Sequence, residues 1–231
     1  MRSKYTRFTR RRTTRSTTTR YPAILTSSAS SLRDEYDTLS KQDELALIDF
    51  LLSQKAHWNE AIDADFAILA HAHQKPPRLA NNGEPWTTWL ILGGRGAGKT
   101  RAGAEWVRGV AQSDPKAQIA LIGETEHEAR EVMVEGVSGL LAVHRRSERP
   151  LWIATRRRLE WPNGAVAHAF SAEDPEQLRG PQFDAAWCDE LAKWKNPDAA
   201  FDMLQFGLRH GTRPRQLVTT TPRPIALVKR L

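Results

Sequence analysis

The residues Gly93-Gly94-Arg95-Gly96-Ala97-Gly98-Lys99-Thr100 fit the pattern G-x-x-x-x-G-K-[ST] at every fixed position. The chemistry of phosphate binding asks for these types. Glycines let backbone N–H groups turn inward around phosphate oxygens, and a helix starting at the lysine adds its positive end to the same anion. Lys99 then reaches the β- and γ-phosphates, and Thr100 offers its hydroxyl to Mg2+. A strand-like run, WLIL, precedes the glycines and a helical pattern follows them, which is the context the motif needs. The stretch is expected to bind ATP with Mg2+.

Hydrolysis needs a carboxylate at the end of a neighbouring strand. The stretch FDAAWCDEL supplies an apolar run and then Asp189-Glu190. Asp189 is expected to hold Mg2+, and Glu190 to orient and deprotonate the attacking water. An acid pair after an apolar run also suits a helix N-terminus, but its distance beyond a complete phosphate loop favours the catalytic reading and points to a further strand between the two motif strands. Arg95, inside the loop, is close enough to stabilise charge on the γ-phosphate. Arg179, in PEQLRGPQF, has two readings: an arginine acting in trans on a neighbouring subunit, or a loop arginine paired with a nearby acid. LVTTTPRP ends a strand in Thr219-Thr220-Thr221, and strand ends in α/β sheets face the ligand crevice.

Several elements must position these groups. Apolar spacing from Lys41 to about His73 reads as two helices, and QKPPRLANNGEP as loop. From there strands and helices alternate. Strands are expected at 86–92, 118–123, 185–188 and 215–220, and helices at 100–112, 126–143 and 197–208. Segments 157–161 and 165–170 form a hairpin turning at Asn163-Gly164. The fold class is α/β, a P-loop NTPase of ASCE type with a mostly parallel twisted sheet flanked by helices. The hairpin adds an antiparallel element.

Composition narrows the rest. The 231 residues suit one sizeable domain with appendages, and the single cysteine, Cys188, excludes an intrachain disulfide. No apolar run is long enough to span a membrane, and the seven histidines lack metal-site spacing. The net charge of +7 resides in residues 1–20, which hold eight Arg/Lys and no acid; the remainder carries 26 basic against 27 acidic residues. That Arg/Thr-rich tail, 1–26, is expected to be disordered. It suits phosphate-backbone binding, a targeting peptide or an unselected extension. Residues 27–73 read as a linker and helical segment, and 74–231 as the ATPase core.

Taken together, WLILGGRGAGKTRAGAEWVRG, EQLRGPQFDAAWCDELAKW and QLVTTTPRP resemble the ATPase (motor) domain of the large subunit of tailed-phage terminases, the DNA-packaging enzymes, and most closely their prophage and gene-transfer-agent-like branch. The likeness covers roughly residues 66–231. It implies a ring of motors on a capsid portal, served by a small subunit and moving double-stranded DNA without sequence preference in the host cytoplasm. By the same likeness Arg95 matches the loop arginine, Arg179 a trans-acting finger, and Asp189 and Glu190 the second motif. Thr219, Thr220 and Thr221 match the coupling motif, and Gln74 an adenine-contacting segment. Arginines in HRRSERP and TRRRLEWPNG are candidates for tracking a phosphate backbone. The family carries a C-terminal nuclease with clustered carboxylates; the chain stops at Leu231 without such a cluster, so DNA cutting is not expected of it. Two other readings compete: a helicase-like translocase, which needs a second lobe, and a truncated relic that binds nucleotide without turnover.

Overall fold

The computed structural model describes residues 40–43 and 66–231. The basic tail, the linker and most of the helical stretch expected over 41–73 lie outside these residues. The later part of that stretch holds a helical turn, Phe66–Leu69, and a 3-10 turn, Ala72–Gln74.

Seven strands form one sheet: β1 (Thr88–Leu92), β2 (Gln118–Gly123), β3 (Leu151–Ile153), β4 (Arg158–Glu160), β5 (Val166–Ser171), β6 (Ala185–Asp189) and β7 (Arg215–Thr220). Their order is β1-β7-β6-β2-β5-β4-β3. Pairings from β1 across to β5 are parallel, and β4 and β3 extend the sheet antiparallel. The expected class is therefore the observed one, and β7 is the further strand between the two motif strands.

Strands covered on both faces must be apolar throughout rather than alternating. In β2 every residue after Gln118 is buried, and successive side chains feed different cores. Ile119 and Leu121 join Trp187, Leu217 and the apolar residues of helix α1 (Lys99–Ser113). Ala120 and Ile122 join Cys188, Val218 and the apolar face of helix α2 (Pro197–Gly207), with Leu227 of α3 (Ala226–Arg230). Pro115 stops α1, and Pro197 opens α2 at a position that needs no N–H.

Two expectations differ from the structure. The helix expected over 126–143 is broken. Thr125 caps its first turn, residues Ala129–Val134 widen into a π-helix closed by Glu135 N–H donating to Arg130 O (2.9 Å), and helix resumes only at Leu140–Val143. The chain folds back on itself so closely that a Cβ at Gly136 would lie 2.6 Å from Val132 O. Strand β3 was not expected, because three residues are too few to show a period. The hairpin forms where expected: Gly164 takes a positive φ, and Asn163 ties the turn to Ala111 O of α1 (2.7 Å).

The phosphate-loop helix seats on the sheet through one close contact. A Cβ at Gly103 of α1 would lie 2.1–2.6 Å from the Trp187 indole in β6. Gly103→Ala is expected to cost about 1–3 kcal/mol by overpacking, more than the roughly 1 kcal/mol gained in helix propensity. Urea unfolding measures the loss, and Trp187→Phe in the same chain is expected to recover part of it. A second prediction concerns His144, which is buried. Its Nδ1–H donates to Leu140 O (2.6 Å) and its Nε2 accepts from Trp161 Nε1–H (2.8 Å). Burial, opposed by the Leu140 carbonyl, lowers its pKa to about 4. The unfolded chain takes up this proton near pH 6.5, so the stabilisation is complete above that pH and is lost as pH falls towards 4. The stability difference between the native chain and His144→Gln is expected to shrink by roughly 3 kcal/mol from neutral pH to about 4; a constant difference rejects the assignment.

Candidate functional site

Parallel register brings three strand ends to one edge of the sheet, where ligands of open α/β sheets bind. Leu92 pairs with Thr220, and Asp189 with Thr219. The phosphate loop leaves β1, the acid pair closes β6, and the threonines close β7.

The loop is held on both sides. Gly93 N–H donates to Thr220 O (3.2 Å). On its far side Gln74, nearly buried, donates through Nε2 to Gly98 O (3.1 Å) and accepts His71 N–H at Oε1 (3.0 Å). His73 Nε2–H donates to Ala97 O (3.0 Å). Gly98 sits at φ +73°, and a Cβ there would lie 2.2 Å from Gln74 Nε2, so only glycine admits both the turn and its support. Gln74, expected at the adenine, is thus placed against the loop backbone. A cavity of about 410 Å3 lies next to it, lined by His73, Pro76, Pro77 and strand β1.

Lys99, 7 % exposed, is folded into its own loop: Nζ donates to Gly93 O (2.9 Å) and Gly94 O (3.1 Å) and lies 3.3 Å from Glu190 Oε1. Glu190 Oε2 accepts the Thr221 N–H (3.3 Å) and hydroxyl (3.0 Å). Burial raises the Glu190 pKa, but the Thr221 hydroxyl and the ammonium groups of Lys99 and Lys193 outweigh it and hold the carboxyl below its ordinary range. Glu190 also has left-handed backbone (φ +49°), a conformation that costs a non-glycine residue about 1 kcal/mol or more and clusters at functional sites.

Asp189 is 6 % exposed. Thr219 Oγ1–H donates to its Oδ1 (2.5 Å), and Thr219 in turn accepts Trp187 Nε1–H (2.8 Å). Burial raises the Asp189 pKa to about 6 and Glu190 adds to the shift, while the Thr219 hydroxyl and Lys99 oppose it. A carboxylate so deprived of water is a good partner for a divalent cation. Asp189 and Thr100 line one cavity of about 150 Å3, so the donor set fits Mg2+ shared with phosphate oxygens. Among the described residues no group of three or more His, Cys, Asp or Glu could hold a metal alone.

A larger cavity, about 820 Å3, runs along residues 95–101, Glu190, Lys193 and Thr221, with the turn after the π-helix as its opposite wall. Arg95 lines it, exposed and unpaired among the described residues. Arg179 does not; it pairs with Glu176 Oε2 (3.2 Å) and lines a separate cavity of about 250 Å3 beside Met203 and Phe206. Sequence reasoning missed four participants: His73, Trp187, Lys193 and Glu124. Glu124 follows β2, whose Ile122 pairs with Cys188, so it emerges beside the acid pair and lines the smaller cavity. The available signal was a charged residue one step past a buried parallel strand.

Comparisons with known proteins bear on the family and the fold. The family described as "Terminase large subunit, T4likevirus-type, N-terminal" matches residues 90–231, more than half of the chain. Among solved structures the chain is similar to the large terminase ATPase domain of Thermus phage P74-26, at 20 % identity, covering 73 % of this chain and 72 % of that one with a TM-score of 0.50. It is also similar to the ADP complex of a thermophilic bacteriophage large terminase, at 16 % identity, 57 % of this chain, 32 % of that one and a TM-score of 0.48. The Phi-28 gp11 DNA packaging motor aligns at 13 % identity, 58 % of this chain, 46 % of that one and a TM-score of 0.36. No protein of curated function matches. The P74-26 likeness bears on the fold, and the family match decides membership: the chain belongs to the terminase large subunit family, of which it carries the N-terminal domain.

Proposed function

We propose that this chain is the ATP-hydrolysing motor domain of a phage terminase large subunit, driving double-stranded DNA into a capsid. The observation that carries the reading is the convergence of Lys99, Asp189, Glu190 and the β7 threonines at one strand edge, with Lys99 and Glu190 3.3 Å apart. Family membership sets the helicase-like alternative aside.

The steps follow from the groups present. A triphosphate entering the loop offers Lys99 better partners than two carbonyls, and drawing Lys99 away frees one oxygen of Glu190. Glu190, kept anionic, orients water and accepts its proton as the oxygen attacks the γ-phosphorus and the bond to ADP breaks. Thr100 and Asp189 would hold Mg2+, which when bound would supply positive charge against the phosphates. Arg95 is free to swing onto the γ-phosphate. The cavity beside Gln74 is the place for the base in this reading, and Gln74 itself fixes the loop. Arg179 lies away from its own chain's phosphate cavity, which suits action on a neighbouring subunit's nucleotide in a ring.

The remaining partners belong to the same reading: DNA without sequence preference, the portal and the small subunit, in the host cytoplasm. Among the described residues no helix is long and apolar enough to cross a membrane. Arg157 and Arg158 are engaged by Glu126 and Glu160, which leaves the exposed Arg146, Arg149 and Arg156 as the better candidates for phosphate-backbone contacts.

Steady-state ATP hydrolysis with and without double-stranded DNA is the test. Turnover is expected to rise with protein concentration and to fall by at least about a hundredfold in Glu190→Gln. Lys99→Ala is expected to abolish Mg-ATP binding. A chain that neither binds nor hydrolyses ATP overturns the motor reading.

A further inference from the structure

The turn after Glu190 carries a lysine to which the motifs give no task. Lys193 ends the 3-10 turn Leu191–Lys193, and the backbone of that turn is fixed from three sides. Lys193 N–H donates to Glu190 O (2.8 Å), Ala192 N–H donates to Thr220 Oγ1 (2.9 Å), and Leu191 is fully buried. The left-handed backbone at Glu190 starts this turn. The strained residue therefore places two side chains at the site, its own carboxylate and the lysine three residues on.

The Lys193 side chain, 38 % exposed, lines both cavities: the larger one with Gly96, Lys99 and Thr100, and the smaller with Thr100, Asp189 and Glu190. The plain alternative is a surface ion pair with Glu190, the type of contact worth least. Geometry counts against it. Lys193 Nζ stands 3.9 Å from Glu190 Oε2, outside hydrogen-bond range, and that oxygen already accepts twice from Thr221. The other oxygen faces Lys99 at 3.3 Å. Two ammonium groups thus flank one carboxylate and face the same space, and the donors of Lys193 stay free to serve it.

The smaller cavity adds the electrostatic argument. Its walls carry the carboxylates of Glu124, Glu128, Asp189 and Glu190, and Lys193 is the one cation among the described residues lining it. A terminal phosphoryl group arriving opposite Glu190 meets these acids on the side away from the loop. Beside the Mg2+ that Thr100 and Asp189 would hold, Lys193 is the protein's own positive charge among the described residues lining that cavity. A compact ammonium on a long stem suits contact with a phosphate approached from one direction.

We propose that Lys193 is a second phosphate-binding lysine, which contacts the terminal phosphoryl group of a bound triphosphate and so separates triphosphate from diphosphate. The proposal rests on the nucleotide reading above. Its test is calorimetric titration of the full chain with Mg-ATPγS and with Mg-ADP, for the native sequence, Lys193→Gln and Lys193→Arg. The expected result is a loss of about tenfold or more for ATPγS in Lys193→Gln, ADP affinity unchanged within about twofold, and partial recovery in Lys193→Arg. Retained ADP binding also certifies that the variant is folded. Equal losses for both nucleotides, or no loss for either, while the native chain binds both, overturn the proposal alone. A native chain that binds neither overturns the nucleotide reading and this proposal with it.

Discussion

Everything at this site hangs on the insertion of β7 between β1 and β6. That single placement, in parallel register, gives each of three successive threonines a different part to hold. Thr219 fixes Asp189, Thr220 fixes the turn that carries Lys193 and receives the first amide of the phosphate loop, and Thr221 fixes Glu190. Side chains alternate faces along a strand, so a slip of one residue would turn the Thr219 hydroxyl away from Asp189 and bring a neighbour's in. The slip would strip Asp189 and the Ala192 amide of their buried threonine partners, and hydrogen bonds made in that low-dielectric setting are strong and costly to break.

Charge in the site is arranged around the same framework. Lys99 satisfies itself on loop carbonyls and on Glu190, while Asp189, shut away from water, is disfavoured as an anion. Both conditions favour an incoming pair of opposite charges: anionic phosphate for the lysine and a divalent cation for the aspartate. The arrangement thus suits an anion and a divalent cation arriving together better than either alone.

Much of this was legible in the residues. The loop, the acid pair and the β7 threonines are contiguous motifs, and the strands that carry them are apolar runs long enough to show their type; the last strand, 215–220, was bounded as observed. The break after residue 128 was harder to see. A helical period continues through the segment, and the π-helix is a hydrogen-bonding choice made where the chain folds back at Gly136. The roles of Lys193, Trp187 and His73 were hidden for another reason. Trp187 and His73 act on partners far along the chain, Thr219 and Ala97. Lys193, though only three residues from Glu190, reaches the cavities through a turn that Thr220 holds. Trp187 reads as a core residue and is one, yet its indole N–H is what orients Thr219.

Gln74 and His73 hold the phosphate loop from outside the strand-and-helix unit that bears it. Everything a motif search would retain begins at β1, fourteen residues further on. The loop's rigidity, however, is owed partly to a segment before the sheet, whose own position depends on whatever packs there. The natural boundary of the nucleotide-binding unit therefore lies upstream of its motifs. A displacement of that leading segment, by a partner or by cleavage, would reach the phosphate loop without touching a single residue that contacts phosphate.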